Sequence, residues 1–156
     1  MKKKLSNGGV IDGDAAVIQR VADDFELQRA RGLATRERWG EDNGAPRMTK
    51  LCHAFPTLRG VPGTDPWNAM VFLRWLCTSG AVTTGSRFAG QFVLQVWNPT
   101  TDWAQVALAP AGPEGLGLRA DEVGRLEPFN LVRALAHWDS DHEDALRSWV
   151  ELPFWP

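Results

Sequence analysis

Trp67-Asn68-Ala69-Met70-Val71-Phe72-Leu73-Arg74-Trp75-Leu76-Cys77 is the stretch on which the fold turns. Wound at 3.6 residues per turn, it is apolar on nearly every side, with Asn68 and Arg74 as its strongly polar interruptions. A helix apolar all round is a central one. Val71 to Cys77 also suits a buried strand, and periodicity alone leaves that alternative open. The flanks favour helix. Thr64 or Asp65 offers a cap, Pro66 suits a first helical position, and Gly80 lies just past the end.

Downstream, Ser79 to Ser86 reads as a hydroxyl- and glycine-rich turn. Phe88, Phe92, Val93, Val96 and Trp97 then share one helical face, stopped by Asn98-Pro99. Phe92 to Trp97 has high strand propensity, so strand remains the competing reading there. Thr101 suits the cap of a short helix through Leu108. Residues 109–117, with three glycines and two prolines, read as the most flexible loop. Pro128 opens a helix that places Leu131, Val132, Leu135 and Trp138 inward. Ser140 and Glu143 have capping-box spacing, for a last helix turning Ala145, Leu146, Trp149 and Val150 inward.

Upstream, Ala15, Ile18, Val21, Ala22 and Phe25 recur at spacings of three and four. They predict an amphipathic helix lying on a core, capped by Asp12 and Asp14 and ended by Gly32. Trp39 then falls in a polar stretch, part of which suits continuation of that helix, before a loop marked by Gly40, Gly44 and Pro46. Residues 49–64 read as irregular but packed through Leu51, Phe55 and Leu58. The expected fold is mainly α: a single compact domain of about five to six helices around a Trp/Phe-rich core, with long irregular connections. A flexible segment, 1–11, precedes the helical domain, 12–156.

The chain has 156 residues, enough to bury roughly 70% of the surface its unfolded form exposes. It is tryptophan-rich, with eight Trp and no Tyr, and has 13 Arg against four Lys, a composition like that of a GC-rich bacterial genome. A net charge of −2 and a pI near 5.9 argue against a wholly basic nucleic-acid binder. Residues 1–59 nevertheless carry +3 and residues 60–156 carry −5. No apolar run reaches the ~18 residues that span a bilayer, and the basic start lacks a hydrophobic region after it. No membrane association and a cytoplasmic location are the expectations. Cys52 and Cys77 are too few for a disulfide framework; whether they pair stays open.

Four groups of residues are candidates for chemistry. Gly80 to Gly85 has the spacing of a phosphate-binding loop, but Ser86 and Arg87 stand where Lys and a hydroxyl residue are needed. A weaker anion site using Thr84, Ser86 and Arg87 is the remaining functional reading, with a small enzyme acting on an anionic substrate as its consequence. His137, Asp139, Asp141 and His142 form a weak metal cluster that lacks EF-hand spacing, and helix capping is its preferred reading. Arg29, Arg31, Arg36 and Arg38, continuing to Lys50, suit a nucleic-acid-binding accessory protein, with Trp39 stacking on a base. Finally, Trp39, Trp103, Phe154 and Trp155 do not fit inward faces, and exposed aromatic residues are enriched at interfaces. No cofactor is expected. The leading expectation is a non-enzymatic helical interaction protein (adaptor, subunit or inhibitor) that binds a protein through a Trp-bearing surface. Its oligomeric state is left open.

Overall fold

Side-chain caps and apolar periodicity produce eight α-helices among the described residues: α1 (Ile11–Trp39), α2 (Ala45–Ala54), α3 (Ala69–Thr78), α4 (Thr84–Trp97), α5 (Trp103–Leu108), α6 (Ala120–Val123), α7 (Leu131–Leu135) and α8 (Ser140–Glu151). A 3-10 turn, Pro56–Leu58, follows α2. This computed structural model describes residues 11–41, 44–124 and 126–156. The expected flexible segment lies outside them except for Ile11, as do Lys2 to Lys4 and the side chains of Asp12 and Asp14. No strand forms among the described residues; isolated bridges join Thr64 to Trp67 and Gly112 to Gly115. Both stretches with strand propensity are therefore helical, Val71–Cys77 in α3 and Phe92–Trp97 in α4.

The chain divides into two units, Met1–Ala34 and Thr35–Pro156. In the first, α1 corrects the expected face-on packing: Ile18, Val21 and Phe25 are 69%, 64% and 65% exposed. The helix also runs through Gly32 instead of ending there. It stops at Gly40, whose φ of 94° reverses the chain and whose N–H donates to Arg36 O at 2.8 Å. A glycine in that left-handed position is a standard helix terminator. Trp39 is thus the last helical residue and not part of a loop.

In the second unit the core forms around α4. Phe88, Ala89, Gly90, Phe92, Val93, Leu94 and Val96 are all buried, and α2, α3, α7 and the 3-10 turn pack against it. Thr83 starts α4: its Oγ1 accepts the Ser86 N–H at 3.2 Å, and Ser86 Oγ accepts the Thr83 N–H at 2.8 Å. This reciprocal pair satisfies two of the donors that every helix start leaves open. Ring contacts extend the core: Phe92 lies 5.8 Å from Phe55, 5.2 Å from Phe129 and 5.3 Å from Trp149. Each edge-on pair contributes about 0.5–1.5 kcal/mol beyond area burial.

Several expected boundaries shift by one to three residues. Residues 45–54 are helical because Pro46 stands in the first turn of α2, where its missing N–H costs nothing. Asn68, not Thr64 or Asp65, caps α3, its Oδ1 accepting from Met70 and Val71 N–H at 3.1 Å. Pro66 belongs to the turn closed by the Thr64–Trp67 bridge. Asp102 instead of Thr101 caps α5, Asn130 instead of Pro128 sets the start of α7, and Asp139 instead of Ser140 caps α8. In α7, Leu131, Val132 and Leu135 are exposed while Ala134 turns inward. In α8, Val150 is also exposed. The 109–117 loop is tied down: Leu116, Gly117 and Leu118 N–H donate to the carbonyls of Val106, Ala109 and Ala107.

Two glycines hold close approaches. A Cβ on Gly63, at φ +82°, would meet Phe72 N at 2.5 Å and Asn68 O at 2.7 Å. On Gly90 it would meet Leu76 Cδ1 at 2.8 Å and Cδ2 at 3.0 Å, atoms of a side chain and not of rigid backbone. Gly90→Ala is therefore expected to cost about 1–3 kcal/mol in urea unfolding. Gly63→Ala is expected to cost more, because rigid backbone must move and the φ is unfavourable for alanine.

Candidate functional site

The surface of α1 is the first candidate. Ala15, Ile18, Val21, Ala22 and Phe25 form one stripe at i, i+3, i+6, i+7 and i+10, and all five are exposed. Asp24 and Glu26 occupy the neighbouring faces, and Asp23 lies on the opposite one. Along the helix, Gln19 Nε2 donates to Asp23 Oδ1 at 2.8 Å, a pair that steadies the polar side. Fully burying Ile18, Val21 and Phe25 would contribute roughly 1.5–3 kcal/mol each.

The four aromatic candidates separate into interior and surface. Trp39 is 3% exposed, its Nε1–H donates to Leu152 O at 2.9 Å, and its ring lies 5.4 Å from Phe154. Phe154 is buried too, with the Arg47 guanidinium 5.8 Å over its ring. Trp103 is half-buried and donates from Nε1 to Leu94 O at 3.1 Å, pinning α5 to α4. Trp155 is the exposed one, at 54%, set edge-on to Trp149 at 5.2 Å. The expected aromatic surface therefore contracts to Trp155, because Trp39 and Phe154 close the core between the end of α1 and the C-terminal tail.

The basic segment is also partly committed. Arg29, Arg31 and Arg36 are exposed. Arg38 donates to Ser148 O at 2.8 Å and pairs with Glu151 at 3.2 Å. Arg47 is buried and donates to the carbonyls of Gly40 and Glu41. Trp39, enclosed as described, has no face on which a base would stack.

At the Gly80–Arg87 turn, Ser86 is buried and its hydroxyl is engaged by Thr83, so it does not face an anion. Thr84 is exposed. Arg87 is half-buried and lines a small cavity of about 110 Å³ with Cys77, Ser79, Gly80 and Glu122. His53 and His137 are elsewhere: His53 Nε2 is 3.8 Å from Asp65 Oδ2, and His137 stacks on Phe88 at 5.6 Å. Both cysteines are free. Burial pushes the Cys77 thiol up to about 11, with Glu122 adding to the shift. Burial likewise pushes the Cys52 thiol up. Both stay protonated at neutral pH, which disfavours nucleophilic attack.

His142 is a structural histidine. It is 4% exposed, with Nδ1 2.6 Å from Asp139 Oδ1 and Nε2 2.8 Å from Thr57 Oγ1. Both ring nitrogens are thus occupied by protein groups that hold α8 to the 3-10 turn. The hydrogen bonds from the His142 ring and backbone keep Asp139 below the usual carboxylate range. Asp141 is exposed. Among the described residues, no group of three or more His, Cys, Asp or Glu side chains is placed to hold a metal ion.

A cleft that sequence reasoning missed opens where the C-terminal end of α4 meets the start of α5 and the Leu126–Phe129 segment. Its volume is about 550 Å³. Asn98 shapes the rim by accepting from the Thr100 N–H and hydroxyl at 3.2 and 2.9 Å. Gln91, the polar residue between Phe88 and Phe92, lines the cleft; it is 5% exposed and its Oε1 has no hydrogen-bond partner. A polar letter on the buried side of an apolar helix was the available signal. No protein-family model, curated protein or solved structure matches this chain.

Trp39→Ala is expected to cost about 3–5 kcal/mol in chemical denaturation, as an emptied aromatic site does. Trp155→Ala should cost about 1 kcal/mol, the worth of one ring pair. The Asp139 shift sets a pH dependence. A depressed carboxylate adds stability above its unfolded value, about 3.9, and loses it as pH falls through the lower folded value. Asp139→Asn keeps a capping oxygen but does not titrate. The stability advantage of the native chain over this variant, read from urea midpoints, should therefore shrink on acidification below the unfolded value.

Proposed function

We propose that this chain is a non-enzymatic interaction protein that docks on another protein through the apolar stripe of α1. The exposure of Ile18, Val21 and Phe25 carries the reading. Contiguous apolar residues left in water at helical spacing mark association surfaces, and an amphipathic helix binds by laying such a stripe into an apolar groove. The chemistry favours protein over nucleic acid. Asp24 and Glu26 flank the stripe, so a phosphate backbone would be repelled beside the apolar residues. Trp155 supplies a second exposed aromatic residue, in the unit that carries the core.

The test is a photo-activated benzophenone side chain introduced at position 18 or 25, with position 20 as the control on the opposite side of the helix. Irradiation in the cells that make the protein should give protein adducts from 18 and 25 that greatly exceed those from 20. The paired variant Ile18→Asp and Phe25→Asp, checked for folding by circular dichroism, should lose adducts from a probe at 21. Equal labelling from both faces, or no protein adducts at all, would contradict the proposal.

A further inference from the structure

The cleft beside α4 has a chemistry independent of the α1 surface. Its described lining residues include two carboxylates, Asp102 and Glu127, and no Lys or Arg. One oxygen of Asp102 accepts the Gln105 N–H, and among the described residues no cation forms an ion pair with this carboxylate. Glu127 pairs with Arg133, an exposed residue outside the lining. Trp103 and Phe129 supply ring surface. Gln91, nine-tenths buried, brings a carboxamide whose oxygen lacks a donor.

Together these groups ask for a ligand that donates hydrogen bonds and bears positive charge. A buried acceptor without a donor is costly to leave unmade. Carboxylates favour a cation, and aromatic faces attract one. An anion would meet the Asp102 carboxylate with no Lys or Arg among the described lining residues to oppose it. A purely apolar ligand would leave the Gln91 oxygen unpaired. A bare metal ion fits poorly too, since the described residues offer no three-membered ligand group. A volume of about 550 Å³ lies within the range of small-molecule sites and exceeds what one ammonium ion fills.

We propose that this cleft binds a small free organic amine, its primary ammonium group recognised by Asp102, Glu127 and the Gln91 carboxamide, and its alkyl part lying against Trp103 and Phe129. The site is a binding site, and no covalent step is involved.

The experiment is isothermal titration calorimetry of the full chain with 1,4-diaminobutane, alongside 1,4-butanediol and succinate as neutral and anionic analogues of similar length. Saturable binding of the diamine alone is expected. Asp102→Asn retains an oxygen able to cap α5 while removing the charge, and should weaken binding about tenfold. Gln91→Leu removes the orphan acceptor at similar volume and is expected to leave the fold intact, with binding about fivefold weaker. Thermal melts of both variants establish that they are folded. Absence of saturable diamine binding at millimolar concentration, equal binding of butanediol, or affinity untouched by Gln91→Leu would overturn the proposal. Tighter binding of Nα-acetyl-lysine amide than of the diamine would overturn the assignment to a free amine and point to a lysine side chain.

Discussion

Gly90 lets α3 and α4 approach until Leu76 and Phe72 occupy the place a side chain would fill, and the rest of the second unit is arranged around that contact. With α3 seated there, α4 is covered on one side by aliphatic and aromatic groups. Phe55, Phe129 and Trp149 then close on Phe92 from the other elements. Close-packed interiors tolerate little displacement, so the position of each later ring depends on the first approach. The polar side chains that fix the outer elements serve this core as well. Trp103 and Trp138 donate their indole N–H groups to Leu94 O and Gly85 O, carbonyls at opposite ends of α4.

Polar capping then decides where each helix begins. At α3, α5 and α8 the cap belongs to Asn68, Asp102 and Asp139, each within a few residues of the one expected from the sequence. Capping side chains stabilise by about 1 kcal/mol, and neighbouring Ser, Thr, Asn and Asp differ by less than that. Packing chooses between them. Asp139 outcompetes Ser140 because it also holds the His142 ring, which reaches Thr57 beside the core. The same logic made the histidine-acidic cluster legible as capping, while the identity of the capping residue was not.

The candidate surfaces divide along a similar line. Ile18, Val21 and Phe25 were readable as one helical stripe; their exposure was not, since a stripe records the capacity to pack and not the presence of a partner. Trp39 and Phe154 show the reverse case. Each sits in a locally polar or terminal stretch, yet the two rings meet across 115 positions of chain and are buried together. The cleft was the least legible feature. Gln91 hinted at it, but Asp102, Trp103, Glu127 and Phe129 come from segments with no local signature in common.

What the sequence determined by itself was the type of structure: a mainly helical chain, a core built on Phe72, Phe92 and Trp138, and acidic capping near residue 140. These follow from periodicity and hydrogen-bonding groups within a few residues of one another. Tertiary structure alone decided which apolar faces are covered, which cap wins, and which polar side chain lines a cleft. Burial requires two surfaces, and the second is usually supplied by a distant part of the chain.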